Sequence, residues 1–254
     1  MKGSDIEMTT INSLKIKIFA DGADLKTMTT LANEPIIKGF TTNPSLMRKD
    51  GVINYEDFAR QLIKNIPNKP ISFEIFADDF ETMEIQARCI ASWGKNVYVK
   101  IPVTNTKGQF TGELISKLSQ EGIPLNVTAI LTIEQVQQVT DCLSINTPAI
   151  ISIFAGRIAD TGIDPMPVIK ESAKIISVKP KAELLWASSR ELLNIIQADL
   201  IGCHIITVTY DMLKKLSLIG KDLNLYSLET VSMFYKDAVA SGFIINNAIE
   251  EVSC

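Results

Sequence analysis

The residue with the clearest chemical potential is Lys100, within the segment 96–102. Apolar residues alternate there with Tyr98 and Lys100, which is typical of a β-strand with two different faces. Apolar surroundings remove water from a lysine and favour its neutral amine, the nucleophile that forms a Schiff base with a carbonyl. The alternative is a lysine at a strand edge whose ammonium group reaches solvent. The other polar residues of the chain distinguish these two interpretations of Lys100.

Polar side chains occur near the C-terminal ends of several other segments with strand-like alternation. Strand alternation, extended into the residues that follow each strand, assigns to the face of Lys100 the residues Phe19, Asp21, Thr41, Asn43, Ser72, Glu74, Phe76, Tyr98, Asn126, Thr128, Ser152 and Phe154. A glutamate in an apolar strand, such as Glu74, is hard to explain structurally, because buried carboxylates are rarely unpaired. Several polar groups around one lysine favour a site that processes carbonyl compounds.

Taken singly, these residues have simpler explanations. Asp21 could cap a following helix, and Asn43 before Pro44 is a common turn pair. Asn126 and Thr128 could satisfy backbone groups at the end of a strand. Convergence of all of them on one volume is what favours the catalytic interpretation.

The elements that must position these residues alternate regularly along the chain. Strands are predicted over 15–21, 35–40, 71–76, 96–102, 124–130, 149–154, 182–187 and 204–208, and helices over 24–32, 55–66, 79–92, 112–120, 133–143, 165–177, 191–198 and 212–216. Eight strand–helix units in about 250 residues predict a parallel (β/α)8 TIM barrel of the α/β class. A doubly wound open sheet is the competitor, but the Gly-rich phosphate turn typical of that fold is missing.

The domain organisation predicted from these elements is simple. Residues 1–14 are polar and aperiodic and are predicted to be a lead-in, and residues 15–254 are predicted to form a single barrel domain. An extra C-terminal helix is expected over about 227–241. Its apolar residues would either cap the barrel or contact a neighbouring subunit.

Two arginines follow late strands of the predicted barrel. Arg157 follows strand six, and Ser188-Ser189-Arg190 follows strand seven. Guanidinium and hydroxyl groups hold phosphate well, and barrel enzymes often bind phosphate with their late loops. The alternative is that Arg157 and Arg190 are ordinary surface arginines. His204, at the opposite end of strand eight, is expected to be structural.

The composition excludes several classes of function. A net charge of −4 and a pI of about 5.2 give no electrostatic footprint for nucleic acid. No apolar run approaches the roughly 20 residues of a membrane span, and the first ten residues lack a signal-peptide core. Four scattered cysteines and a single histidine form no metal, redox or Ser-His-Asp pattern. A cytoplasmic protein without a membrane partner is the expectation.

Six motifs occur in order along the chain: Phe19-Ala20-Asp21, Gly39-Phe40-Thr41-Thr42-Asn43-Pro44-Ser45, Val97-Tyr98-Val99-Lys100-Ile101-Pro102, Asn126-Val127-Thr128, Phe154-Ala155-Gly156-Arg157-Ile158 and Ala187-Ser188-Ser189-Arg190. Together they resemble the transaldolase family, in particular its short bacterial branch. The resemblance runs from about Lys17 to Phe243.

The resemblance implies a class I aldolase chemistry with neither a metal nor an organic cofactor. Lys100 would form a Schiff base with the ketone of a ketose phosphate, and Asp21 would take the proton of the C4 hydroxyl. The C3–C4 bond would then break, leaving a dihydroxyacetone unit on the lysine as an enamine. Glu74 and Thr128 would hold a water molecule that moves protons during Schiff-base formation.

The resemblance also implies a substrate-binding set. In this set Asn43, Asn126 and Ser152 would hydrogen-bond the hydroxyls of the dihydroxyacetone unit, and Arg157, Ser188 and Arg190 would bind the phosphate. Thr41 and Phe154 complete the substrate-binding set. The donors would be sedoheptulose 7-phosphate or fructose 6-phosphate, and the acceptors glyceraldehyde 3-phosphate or erythrose 4-phosphate, as in the pentose phosphate pathway. The family's habit suggests a homo-oligomer, as a ring or a pair of rings.

Three alternatives stay open at the level of sequence. Related fructose-6-phosphate aldolases release dihydroxyacetone, but they carry Gln and Tyr where this chain has Glu74 and Phe154, which favours transfer. Ser189, Cys203-His204 and Thr209 depart from the usual family pattern, so a specialised relative acting on another sugar phosphate is the second alternative. The third is a silent barrel that only binds, which the presence of Lys100 disfavours.

Overall fold

The computed structural model describes residues 11–245 of the chain, and in that range eight parallel strands close into a barrel in chain order. The strands are β1 (Lys17–Asp21), β2 (Ile37–Thr41), β3 (Ile71–Glu74), β4 (Val97–Pro102), β5 (Leu125–Ile130), β6 (Ala149–Ile153), β7 (Ala182–Trp186) and β8 (Ile205–Thr209). β8 pairs with β1 from Lys17↔Ile205 to Asp21↔Thr209, which completes the ring. The predicted (β/α)8 barrel is therefore confirmed.

Helices connect successive strands on the outside of the barrel, and the last two helices follow the eighth strand. They are α1 (Leu25–Leu31), α2 (Pro44–Lys49), α3 (Tyr55–Asn65), α4 (Phe80–Ala91), α5 (Gly112–Gln120), α6 (Ile133–Cys142), α7 (Ala155–Asp160), α8 (Met166–Ile176), α9 (Leu193–Leu200), α10 (Tyr210–Leu213) and α11 (Leu223–Ser241). None of those described here is long and apolar enough for a membrane crossing.

Two short helices, α2 and α7, were not predicted. Each begins within three residues of the end of a strand and is only six residues long, which is too short for a periodic pattern to show. Asn43 caps α2 by accepting a hydrogen bond from Leu46 N at 3.0 Å, and Pro44 occupies the first turn. The local motif is thus a helix start as well as a turn.

The side chains inside the barrel follow the predicted alternation. Phe19, Ile150, Leu185, Ala187 and Ile205 form an inner cluster that is separate from the larger core between strands and helices. Tyr98 packs against this inner cluster, whereas its neighbours Val97 and Val99 belong to the outer core. The inward face of β4 is therefore the face that carries Lys100.

The prediction that Phe76 faces inward is wrong. β3 ends at Glu74, and the side chain of Phe76 is 52% exposed. Its ring stacks on Tyr55 of α3 with centroids 4.7 Å apart. Because β3 has ended two residues earlier, strand alternation does not determine the direction of the side chain at position 76.

The C-terminal helix α11 begins a turn earlier than expected, where Asp222 caps it through Leu225 N at 2.9 Å. None of its 19 residues is buried. Val231, Phe234 and Val239 are each at least 60% exposed, so in a single chain this helix does not cap the barrel. Residues 1–10 of the predicted lead-in lie outside the described residues.

Candidate active site

A cavity of about 480 Å³ opens at the C-terminal ends of the strands. The predicted site residues that line it are Asp21, Thr41, Asn43, Glu74, Lys100, Asn126, Thr128, Ser152, Phe154, Arg157 and Ser188. Seven of the eight strands, or the residues directly after them, contribute to this set, as expected for a parallel barrel. The structure thus brings together all the predicted site residues except Arg190.

Lys100 lies in the wall of this cavity and is 8% exposed. Its Nζ lies 3.0 Å from Glu74 Oε2 and 3.2 Å from the carbonyl oxygen of Thr42. Glu74 pairs with Lys100 in the ladder between β3 and β4, so the two side chains leave adjacent strands at the same level. The lysine is buried and paired, and the alternative of a surface lysine is excluded.

Glu74 is held in turn by the outer layer of the barrel. Tyr55 of α3 donates a hydrogen bond to the carbonyl oxygen of Glu74 at 2.9 Å, and the Tyr55 ring packs edge-on against Phe73 and Trp93. Burial raises the pKa of the Tyr55 hydroxyl, so this group stays a donor. The aromatic packing fixes the end of β3 and with it the start of the Glu74 side chain.

Asp21 closes another part of the cavity. Its Oδ1 accepts a hydrogen bond from Thr41 Oγ1 at 2.8 Å, and its Oδ2 faces Asn43 Nδ2 at 3.5 Å. Burial raises the pKa of the Asp21 carboxyl, and the nearby Lys100 charge and the Thr41 hydroxyl oppose this in part. Asp21 does not cap α1, because Asp24 does so through Thr27 N at 2.7 Å.

Asn126 forms the centre of a buried hydrogen-bond network. Its Nδ2 donates to Ser72 Oγ at 2.9 Å, and its Oδ1 accepts from Ser152 Oγ at 2.7 Å. All three residues are at most 2% exposed, and they come from β3, β5 and β6. The network fixes the orientation of the amide, because its donor and acceptor are both engaged.

Thr128 presents a buried hydroxyl that has no hydrogen-bond partner within the described chain. The next residue, Ala129, has a φ of 61°, a left-handed conformation that is uncommon outside glycine. The register between β5 and β6 shifts at the same place, between Val127 and Ile130. Thr128 and Ala129 both line the cavity. An unpaired buried hydroxyl at such a place indicates a bound ligand or water molecule.

The basic side of the cavity is built by α7 and the residues after β7. The Arg157 guanidinium lies 5.6 Å from the centroid of the Phe154 ring, which orients it along the cavity wall. Ser188 has a φ of 61°, and its carbonyl oxygen lies 1.6 Å from where a Cβ on Gly156 would be. Only glycine fits at position 156, and this close approach sets the distance between α7 and the Ser188 turn.

Arg190 departs from the predicted set. It does not line the cavity, and its guanidinium forms an ion pair with Asp160 at the end of α7. The placement therefore differs from the sequence-based expectation, and a phosphate role for Arg190 stays a prediction. Asp160 is thirty residues away in sequence, so no local pattern could have indicated the pair.

Thr207 of β8 is a cavity residue that the prediction missed. Its side chain is buried, and its Oγ1 lies 2.6 Å from Thr41 Oγ1. The alternation of β8 places Ile205, which belongs to the inner cluster, on the same face, and that signal was available in the sequence. His204 lies at the other end of β8, where its Nδ1 accepts from Leu184 N at 3.1 Å.

A larger groove of about 600 Å³ lies on the outer surface between α1 and α10. Lys26, Glu34, Tyr210 and Lys214 line it together with threonine and aliphatic side chains. Its charged residues are exposed, and no amide side chain of the described residues lines it, whereas the barrel cavity joins a buried lysine to carboxylates and amides. The barrel cavity is therefore the candidate active site.

Comparison with known proteins identifies the family. The family model described as Transaldolase/Fructose-6-phosphate aldolase matches residues 18–252. A protein of Dehalococcoides mccartyi named "Probable transaldolase" is 34% identical over 202 residues, which cover 79% of this chain and 90% of that protein. A second "Probable transaldolase", from Syntrophobacter fumaroxidans, is 32% identical over 206 residues, covering 80% of this chain and 89% of that protein.

Solved structures agree on the fold alone. The crystal structure of dihydrodipicolinate synthase from Rhodopseudomonas palustris superposes with a TM-score of 0.54 at 14% identity, covering 91% of this chain and 81% of that chain. The family match spans the barrel and the motifs that build its cavity. The chain therefore belongs to the transaldolase/fructose-6-phosphate aldolase family.

Proposed function

We propose that this protein is a transaldolase that transfers a dihydroxyacetone unit between phosphorylated sugars through a Schiff base on Lys100. The donors are sedoheptulose 7-phosphate or fructose 6-phosphate, and the acceptors are glyceraldehyde 3-phosphate or erythrose 4-phosphate. The observation that carries the proposal is the buried Lys100 amine, 3.0 Å from the Glu74 carboxylate in a cavity that also contains Asp21. Such a reaction belongs to carbohydrate metabolism in the cytoplasm, in the pentose phosphate pathway.

The proposed reaction begins with transfer of a proton from the Lys100 ammonium to the Glu74 carboxylate 3.0 Å away. The neutral amine then attacks the ketone carbon of the donor. The resulting carbinolamine loses water to give the Schiff base, and Glu74 and Thr128 hold the water molecule that moves the protons. The unpaired Thr128 hydroxyl supports this role, because it can bind that water without giving up another partner.

Carbon–carbon cleavage follows at Asp21. The carboxylate takes the proton of the C4 hydroxyl, the C3–C4 bond breaks, and its electron pair moves into the Schiff base to form an enamine. The aldose phosphate leaves, and an acceptor aldehyde then reacts with the enamine by the same steps in reverse. Hydrolysis of the new Schiff base frees Lys100 and the product ketose phosphate.

Binding of the donor uses the remaining polar residues of the cavity. Asn43, Asn126 and Ser152 hydrogen-bond the hydroxyls of the dihydroxyacetone unit, with Thr41 and Phe154 beside them. Arg157, Ser188 and Arg190 bind the phosphate. The orientation of the Asn126 amide, fixed by Ser72 and Ser152, supports its place in this set.

The decisive experiment traps the intermediate. The protein is incubated with fructose 6-phosphate, reduced with borohydride and weighed by mass spectrometry, and a three-carbon adduct on Lys100 is the expected result. Lys100→Met should abolish the adduct, whereas Lys174→Met should not, because Lys174 is an exposed lysine on α8. The absence of any adduct on wild-type Lys100 would overturn the proposal.

Release of dihydroxyacetone instead of its transfer is the second candidate function. Phe154 disfavours it, because this ring lines the cavity without a hydroxyl that could protonate the enamine. Adding erythrose 4-phosphate separates the two, since only transfer yields sedoheptulose 7-phosphate. Phe154→Tyr is expected to increase the free dihydroxyacetone formed per sedoheptulose 7-phosphate.

The exposed apolar helix α11 supports a further proposal, namely that the protein is a homo-oligomer, as a ring or a pair of rings. Leu228, Val231 and Phe234 are each at least 60% exposed in the single chain. Exposed apolar patches of this kind mark contact surfaces. Sedimentation velocity measures the state, and a monomer at micromolar concentration would contradict the proposal.

A further inference from the structure

Two threonine hydroxyls connect β8 to the carboxylate of Asp21. Thr207 Oγ1 lies 2.6 Å from Thr41 Oγ1, and Thr41 Oγ1 lies 2.8 Å from Asp21 Oδ1. Thr41 is on β2 and Thr207 on β8, the two strands that flank β1, which carries Asp21. Both threonines are buried, at 4% and 7% exposure, so water does not compete strongly for their hydroxyls.

The direction of both hydrogen bonds follows from proton counting. A hydroxyl carries one proton, and an ionised carboxylate can only accept. Thr41 must therefore donate its proton to Asp21 Oδ1 whenever Asp21 is ionised. The bond between the two threonines must then be donated by Thr207, because the Thr41 proton is already engaged.

The two carboxylate oxygens of Asp21 have different hydrogen-bond partners. Oδ1 accepts a short, charge-assisted bond from Thr41, while the Asn43 Nδ2 donor lies 3.5 Å from Oδ2, at the outer limit of a hydrogen bond. Oδ2 consequently keeps most of its capacity to accept a proton.

We propose that Thr207, acting through Thr41, is a positioning residue that holds Asp21 with Oδ2 directed at the proton it removes. The inference rests on the proposed function, because it assigns the C4 hydroxyl proton of the donor to one oxygen of Asp21. In the cleavage step that proton moves to Oδ2, and the C3–C4 electron pair moves into the Schiff base. The Thr41 and Thr207 protons stay where they are.

The main chain of Thr207 gives it the rigidity this role needs. Thr207 is paired with Phe19 in the ladder between β8 and β1. Its carbonyl oxygen accepts a hydrogen bond from Ser189 Oγ at 2.8 Å, which ties it to the turn that contains Ser188. With its backbone held on both sides, Thr207 presents its hydroxyl to Thr41 in one position.

The mass of the trapped adduct distinguishes C3–C4 cleavage from Schiff-base formation. Borohydride reduction after mixing with fructose 6-phosphate gives a six-carbon phosphorylated adduct before the C3–C4 bond breaks and a three-carbon adduct afterwards. Free dihydroxyacetone gives the three-carbon adduct without any cleavage. A substitution that affects only Asp21 therefore changes the ratio of six-carbon to three-carbon adduct formed from fructose 6-phosphate. It leaves the amount of adduct formed from free dihydroxyacetone unchanged.

The test compares Thr207→Val, which removes the hydroxyl at nearly equal volume, with Thr207→Ser, which keeps it. We expect Thr207→Val to lower kcat about tenfold with KM changed less than twofold, in line with the loss of one hydrogen bond. The six-to-three-carbon ratio should rise, and Thr207→Ser should restore kcat to within about threefold of the wild type. Thr140→Val, at a buried threonine bonded to Val136 O in α6, is the matched control.

The acid limb of the kcat profile gives an independent readout. A hydrogen bond to the ionised form lowers a carboxyl pKa, so a weaker Thr41 bond in Thr207→Val should move this limb to higher pH by about 0.5 unit. The other charged groups that line the two cavities beside Asp21 are unchanged by this substitution. They are Lys100, Glu74 and Arg157 in the barrel cavity and Asp24, Lys49, Asp50 and Asp211 in the groove on the other side of Asp21. Of these, the Lys100 charge lowers and the Glu74 charge raises the pKa of Asp21.

The outcomes separate this inference from the proposed function. If wild-type protein forms no adduct with either fructose 6-phosphate or dihydroxyacetone, the proposed function itself fails. If adducts form but Thr207→Val retains wild-type kcat and acid limb, the positioning role is wrong. It is equally wrong if Thr207→Ser loses as much as Thr207→Val, because packing would then be the cause. Thr207→Ala, which also lacks the hydroxyl, replaces Thr207→Val should the valine variant not fold.

Discussion

Lys100 and Glu74 occupy paired positions on β4 and β3, and their charged groups lie 3.0 Å apart within the barrel cavity. Parallel pairing makes this contact independent of any loop, since both residues project from strands hydrogen-bonded to each other. The carboxylate compensates the buried ammonium in the resting protein. In the proposed reaction it also serves as a base beside the amine during the proton transfers of Schiff-base formation.

Substitution of Glu74 should therefore slow adduct formation. Glu74→Ala is expected to reduce the rate of borohydride-trapped adduct formation with fructose 6-phosphate about 100-fold, a common size for a lost general acid–base group. Glu74→Gln keeps the shape and should lose less. Glu84→Gln, which removes a carboxylate from the surface ion pairs with Arg88 and Lys117, is the control. Equal rates in Glu74→Ala and wild type would remove Glu74 from the mechanism.

Gly156→Ala should be strongly destabilising. The added Cβ would lie 1.6 Å from the Ser188 carbonyl oxygen, so α7 and the Ser188 turn would have to separate. Overpacking against backbone costs about 3 kcal/mol or more in the free energy of unfolding, measured by urea denaturation. Gly22→Ala, whose Cβ would have its nearest contact at 3.9 Å, should change that free energy by less than about 1 kcal/mol. Similar stability of the two variants would contradict the close approach.

The stability of the protein should decrease as the pH falls below about 6.5, where an unfolded histidine becomes protonated. Burial lowers the pKa of His204, and its Nδ1 accepts from Leu184 N, so the folded state holds the neutral ring. A group with a depressed basic pKa stabilises the fold above its unfolded pKa, and this contribution is lost toward acid.

Urea denaturation between pH 7.5 and 5.5 measures this dependence. His204 is the single histidine of the chain, so the comparison needs only one variant. His204→Gln should reduce the pH dependence of the free energy of unfolding between pH 7.5 and 5.5. Carboxylates contribute little to that dependence in this range. An unchanged slope would show that other groups cause the loss.

Asp160→Asn should raise the affinity of the site for phosphate. The Asp160 carboxylate pairs with the Arg190 guanidinium, and a phosphate bound by Arg190, as proposed, would have to displace that carboxylate. Exposed ion pairs contribute about 0.2–1 kcal/mol to stability. Inhibition of the proposed transaldolase reaction by inorganic phosphate should therefore become about two- to fivefold stronger. Asp164→Asn is the control, because Asp164 bonds only Met166 N among the contacts described for its side chain. Unchanged inhibition would mean that Arg190 does not bind phosphate.

The barrel could be predicted because hydrophobic alternation and strand–helix spacing are local properties. The same alternation correctly placed Lys100, Asn126 and Ser152 in one cavity, since parallel strands bring their C-terminal ends together. It failed at Phe76, which lies beyond the end of β3. It also missed Thr207, although the inward position of Ile205 follows from the same rule.

The remaining features depend on contacts that sequence spacing does not encode. The pair between Arg190 and Asp160 and the approach of Gly156 to Ser188 form only once α7 packs beside the end of β7. The left-handed backbone conformation of Ala129 could not be predicted from the sequence either, because alanine carries no preference for that conformation. These features follow from closure of the ring of strands.

The exposure of α11 has a consequence for how the stability of this protein behaves. In the proposed oligomer its apolar side chains are buried by another chain, so part of the folding free energy belongs to association. Mass action then makes the midpoint of thermal unfolding rise with protein concentration, which an isolated barrel would not show. Stability would thus be a property of the population of chains, and dilution alone would weaken the fold.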